Sequence, residues 1–132
     1  MAINYWAVLV AALSMFLLGG LWYSPVLFGG VWMRANQLTE KDLEDGNPAK
    51  IYGVSFLFSL IMSANLAAFL SGPETDMAWG ATAGFLAGFG WVALGIGMVS
   101  LFERRPFSYM LVNGAYMTVA FTLMGLILGA WR

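Results

Sequence analysis

The sequence predicts an all-α integral membrane protein: four transmembrane helices in an antiparallel bundle, with short interfacial or cytoplasmic helix segments between the first two spans. Three observations predict it. The chain is 61% hydrophobic and 10% charged, with mean hydropathy +0.78, whereas soluble domains are about a quarter charged. Six basic and seven acidic residues cannot furnish a water-facing surface for 132 residues. Four apolar runs each reach the roughly 20 residues that a helix needs to cross a hydrocarbon core. The breaks between them collect the polar turn signals, and residues 34–50 alone carry seven of the charges.

In chain order, the first span covers about residues 3–23. It lacks the basic leader and small-residue cleavage site of a signal peptide and is expected to be retained. Residues 24–47 form the connection to the second span. Within it, Ser24-Pro25 predicts a cap followed by proline at the first helical position, opening a short segment to Asn36 that Gly29-Gly30 would weaken. Thr39 to Asp42 predicts a capping box, with Gly46 as the stop. Asn47-Pro48 repeats the cap-then-proline signal and opens a second span over about 48–70. The tight turn Gly72–Asp76 makes spans two and three antiparallel neighbours by expectation. The third span runs over about 77–102, the turn Glu103–Pro106 follows, and the fourth span runs over about 107–131. The whole chain, 1–132, is a single transmembrane domain on this reading.

Absences bound the chemistry. Without cysteine there is no disulfide, thiol nucleophile or thiolate metal site. Without histidine the commonest general base and transition-metal ligand is missing too. No catalytic constellation, cofactor site or metal site is expected, and the chain is not expected to be an enzyme. A net charge of −1 leaves no footprint for nucleic acid.

Basic residues set the expected orientation. Arg34, Lys41, Lys50, Arg104 and Arg105 fall on the side of the first and third connections, against Arg132 alone on the other. Both connections, 24–47 and 103–106, are therefore expected in the cytoplasm and both termini outside, in a multi-pass protein of the plasma (inner) membrane. Trp22, Tyr23, Trp32, Tyr52 and Tyr109 would mark one interface, and Tyr5, Trp6, Trp79 and Trp131 the other.

Within the spans, small residues recur every four positions and so share helix faces. Ser55, Ser59 and Ser63 do so in span two, and Gly80, Gly84 and Gly88 in span three. Gly125 and Gly129 close span four. Such stripes let backbones approach closely in lipid, either within one chain or at a homo-oligomer seam. No charge lies in the central part of any span, against the usual mark of proton-coupled transport. Asn65, Asn113, Tyr116 and Thr122 are the neutral polar residues that would line a polar cavity, or else hydrogen-bond across helices. Trp91 stands near mid-span. Arg34, Lys50, Glu103, Arg104 and Arg105 would form a charged belt at the cytoplasmic edge, with Glu103 paired to Lys50.

Eight short pieces together resemble one family. They are Leu21-Trp22-Tyr23-Ser24-Pro25, Trp32-Met33, Leu38-Thr39-Glu40, Gly46-Asn47-Pro48-Ala49-Lys50 with Tyr52-Gly53, Phe102-Glu103-Arg104-Arg105, Asn113-Gly114-Ala115-Tyr116 and Met124-Gly125. The chain resembles the domain of unknown function 1761 family of small bacterial four-span membrane proteins, which implies a fold and a location and no activity. Two function classes stay open. One is a structural or interaction protein that self-associates or regulates a membrane-protein partner. The other is a channel or facilitator for a small solute, lined by neutral polar groups.

Overall fold

The computed structural model describes residues 3–132 and holds four helices long and apolar enough to cross a membrane. The first, α1 (Tyr5–Trp22), begins where the Asn4 side chain accepts from the Trp6 and Ala7 amides at 3.1 and 3.2 Å. This satisfies two of the amides a helix start leaves orphaned. Its inner face is Ala7, Val8, Ala11, Ala12 and Met15, mostly small side chains that let two neighbours come close.

The next helix, α2 (Gly29–Asn36), starts later than Ser24-Pro25 predicts. The Ser24 hydroxyl donates back to the Leu21 carbonyl at 2.6 Å, closing the end of α1 instead of capping α2. Residues 24–28 turn the chain, with the Phe28 and Gly29 amides bonded to Trp22 and Ser24 carbonyls. Gly29 is required by contact: a Cβ there would lie 2.6 Å from the Tyr23 carbonyl oxygen. The glycines expected to weaken this helix are therefore the residues that open it.

Thr39 and Asp42 cap α3 (Glu40–Glu44) reciprocally, the Thr39 amide donating to the Asp42 carboxylate at 2.8 Å. Asn47 then caps α4 (Pro48–Phe69), accepting from the Lys50 amide with Pro48 at the first helical position. Asp76 opens α5 (Met77–Ala87), its side chain accepting from the Trp79 amide at 2.8 Å.

Span three is not one continuous α-helix. A π-helical stretch, Gly88–Ala93, separates α5 from α6 (Leu94–Phe102). Its role follows from geometry. Four-residue steps on an α-helix advance slightly more than one turn, so the face Gly80, Gly84, Gly88 drifts around the axis. The next residue against the neighbouring helix is Ala93, five positions on, where it meets Gly114, and Gly97 then meets Met110. The wider π turn absorbs the extra residue and keeps the small-residue face pointed at its partner.

That partner is α7 (Phe107–Ala130), the central helix. It packs on α1 and more lightly on α4 along one side, and on α5, the π stretch and α6 along the other. α1 runs antiparallel to both α4 and α7, and α5–α6 runs antiparallel to α7. Spans two and three, expected to be neighbours, make no substantial contact with each other. The Arg132 guanidinium donates to the Leu70 and Gly72 carbonyls, tying the end of α7 beneath the turn that joins them. Each already has its small-residue face occupied, α4 by α1 and α5 by α7, so a short turn does not force them together. The result is four antiparallel spans arranged about α7, with spans two and three apart.

Packing between α5 and α7 is backbone on backbone. Cβ atoms on Gly80, Gly84, Gly125 or Gly129 would fall on main-chain carbonyls of the facing helix, and one on Gly88 would lie 2.6 Å from the Phe121 Cβ. Gly95, by contrast, has nothing within 4 Å of the position a Cβ would take. Replacing Gly84 by Val should therefore lower unfolding stability in detergent by about 2 kcal/mol or more, the range of overpacking. Gly95→Ala should change it by less than about 0.5 kcal/mol.

The capping box makes a second prediction. Hydrogen bonds from the Thr39 backbone and side chain hold the Asp42 carboxyl below its ordinary value. A lowered folded-state value stabilises α3 fully above the unfolded value, near about 3.9. That support is lost as pH falls through the lower folded value. Amide exchange of α3 in a pH titration should show protection disappearing only below that point, and Asp42→Asn should remove the pH dependence.

Candidate functional site

Polar groups and aromatic rings concentrate where the end of α1, α2 and the early turns of α7 meet. Trp22 closes α1, and its indole Nε1 donates to the Val112 carbonyl of α7 at 3.0 Å. Tyr23, one residue on, donates its hydroxyl to Asn113 Oδ1 at 2.6 Å. From α7 the Tyr116 hydroxyl donates in the opposite direction, to the Met15 carbonyl of α1 at 2.8 Å. Gly19 makes that bond accessible, since a Cβ on it would stand 2.9 Å from the Tyr116 oxygen.

The rings stack around these bonds. Tyr23 meets Tyr116 edge-on with centroids 5.4 Å apart, and meets Trp32 of α2 edge-on at 5.5 Å. Trp22 packs against Phe28 at 4.7 Å. Offset and edge-on aromatic pairs add about 0.5–1.5 kcal/mol beyond the area they bury. The knot thus fastens three elements together, with the Trp22, Tyr23 and Tyr116 donors each matched to an acceptor. Among the described residues no buried side-chain nitrogen or oxygen lacks a partner.

Against this geometry the sequence-derived site residues fall into separate places. Ser63 is fully buried and donates to the Val8 carbonyl of α1 at 2.8 Å, Ser59 is buried beside it, and Ser55 is exposed. Gly80, Gly84 and Gly88 face Gly125, Gly129 and Phe121 within the chain. Of the four residues considered for a polar cavity, Asn113 and Tyr116 belong to the knot. Thr122 donates to the Thr118 carbonyl of its own helix at 2.7 Å, and Asn65 is exposed on the outer face of α4. They do not converge on one space. Trp91 is 72% exposed on the outside of the π stretch. The charged belt is not assembled either: Arg105 approaches Glu103 at 3.9 Å, while Lys50 and Arg34 form no ion pair among the described residues. They sit on other helices, and Glu103 already faces Arg105 across the turn.

Among the described residues, cavities lie at both ends of the helices. A small one of about 20 Å³ is lined by Asn4, Leu70 and Arg132, among others. A larger one of about 440 Å³ is polar and lies between the end of α2 and the turn joining α6 to α7, lined by Ala35–Gln37 and Glu103–Pro106.

Sequence reasoning assigned Trp22, Tyr23 and Trp32 to a membrane interface and so missed their joint hydrogen bonding and stacking with Asn113 and Tyr116. The available signal was the three-residue spacing of Asn113 and Tyr116, which puts both on one face of α7. Gly19 and Gln37 carried no such signal.

Compared with known proteins, residues 6–129 match the family described as Protein of unknown function (DUF1761). The chain belongs to the DUF1761 family. No curated protein and no solved structure matches it. The DUF1761 match takes in all four spans but for Tyr5 and Ala130 at their outer ends, together with the knot and the larger cavity.

The Tyr23–Asn113 bond can be measured directly. A double-mutant cycle of Tyr23→Phe and Asn113→Leu, read by unfolding in detergent, should return a coupling of about 0.5–1.7 kcal/mol, the range for hydrogen bonds between membrane helices. Tyr116→Phe should be destabilising separately, through the Met15 carbonyl.

Proposed function

We propose that this DUF1761 protein is a structural or interaction component of the plasma membrane, supporting or regulating a membrane-protein partner. The observation that carries this reading is the fate of its intramembrane polar groups. Asn113, Tyr116, Thr122 and Ser63 all engage in hydrogen bonds within the chain. A solute path needs such groups turned toward water along its length, and Asn65 alone among the candidates is free on an outer face. In place of a path the protein offers surface: three spans present broad apolar faces outward, and the connection between α1 and α4 is its one sizeable polar segment.

Orientation and self-association belong to the same proposal. Five basic residues cluster with the long connection at one end of the helices and Arg132 stands at the other, which favours a cytoplasmic connection with both termini outside. Self-association cannot reuse the glycine stripes, which are filled inside the chain. Gly90 and Gly95 leave an unobstructed edge on span three where a second copy of the chain can approach.

Proteoliposomes test the reading. Osmotic shrinkage assays with water, glycerol and urea should give rates equal to those of protein-free vesicles, and the mass in mild detergent should exceed that of one chain. A solute flux that Asn113→Leu abolishes without changing unfolding stability would establish the facilitator function instead.

A further inference from the structure

Two residues among those described are non-glycine with positive φ, Gln37 at 55° and Arg104 at 59°. Both end a helix in the same way. The Leu38 amide reaches back to the Met33 carbonyl at 2.9 Å past Gln37, and the Arg105 amide reaches back to the Ser100 carbonyl at 2.9 Å past Arg104. Glycine is the usual residue at this position of such a cap. An L-residue held there costs on the order of 1–2 kcal/mol. Here both positions carry long polar side chains, and both line the 440 Å³ cavity between α2 and the α6–α7 turn.

That cavity has the charge and setting of an anion site. Arg104 is exposed, and its guanidinium has no ion pair or hydrogen bond among the described residues. Arg105 faces Glu103 and lies 5.2 Å over the Tyr109 ring, so one of the two guanidinium groups is held and the other is open. Asn36 donates its amide to the Trp32 carbonyl, and Gln37 has no side-chain partner. The volume falls within the roughly 300–1,000 Å³ of small-molecule sites. Directly beside the turn, Phe102 is 86% exposed and Phe107 69% exposed, at the ends of two spans. A polar hollow with two guanidinium groups against one carboxylate, flanked in sequence by two outward phenylalanines, matches a molecule with an anionic head and apolar tails.

We propose that this cavity binds one anionic phospholipid, its phosphate paired with Arg104 and hydrogen-bonded by Gln37, its acyl chains along Phe102 and Phe107. Both residues line the hollow from a left-handed backbone. The site is independent of the proposed structural function, since it needs neither a partner nor a second copy.

Purified full-length protein in detergent, melted in the presence of phosphatidylglycerol, phosphatidylcholine or inorganic phosphate, tests it. Phosphatidylglycerol should raise the melting temperature saturably, and the other two should not. Arg104→Gly relieves the backbone while deleting the cation. It should melt at or above the wild-type temperature without lipid, yet need about fivefold more phosphatidylglycerol for half the shift, the loss of one basic contact. Gln37→Gly should move both readings in the same directions. Arg104→Gln, which keeps the bulk, should also weaken the phosphatidylglycerol response. Unchanged phosphatidylglycerol dependence in Arg104→Gly and Arg104→Gln would overturn the proposal. So would equal shifts with phosphatidylcholine, or a full shift with inorganic phosphate alone.

Discussion

The contact between α5 and α7 is the constraint on which the rest of this structure depends. Lipid tails are as apolar as leucine, so two helices gain nothing by hiding hydrophobic side chains from them. They gain by fitting closely. Gly80, Gly84 and Gly88 against Gly125, Gly129 and the Phe121 backbone bring two main chains together where any side chain would collide. Once that face is fixed, span three must keep it turned to α7 over its full length. The π stretch at Gly88–Ala93 is how the chain does so. A local irregularity in one helix is thus a consequence of a long-range fit.

The opposite side of α7 is organised by a different interaction. There α1 brings alanines and Met15, and association is completed by hydrogen bonds to main-chain carbonyls, Tyr116 to Met15 and Trp22 to Val112, while Ser63 of α4 bonds Val8 on the same α1. In hydrocarbon a polar side chain without a partner is costly, so each such group must be matched when the helices dock. The knot around Tyr23 and Asn113 extends this to α2, which without those contacts would be an eight-residue helix too short to be stable alone. Sharing one central helix between a glycine face and a hydrogen-bonded face also explains why the four spans do not close into a ring. Every interior face is already filled, and α4 and α5 are left apart with outward surfaces turned to lipid.

The sequence by itself determined the class, the number of spans and most of their ends. Length and hydropathy are local properties, and so are caps such as Thr39 with Asp42 and Asn47 before Pro48, because their hydrogen bonds close within three residues. Only the tertiary structure decided who packs on whom. A stripe of glycines announces a close approach but carries no address, and span three could have used its stripe on span two as readily as on span four. The same limit hid the site. Asn113 was legible as polar and Tyr23 as aromatic, yet their bond joins residues 90 positions apart and exists because Gly19 and Gly29 let α1, α2 and α7 converge. Ser24 shows that local signals also compete with one another. The dipeptide Ser24-Pro25 fits a helix start, but the Ser24 amide and hydroxyl both go back to the Leu21 carbonyl at the end of α1. Which distant neighbour a glycine stripe or a polar side chain meets is a property of the folded arrangement, and no local pattern encodes it.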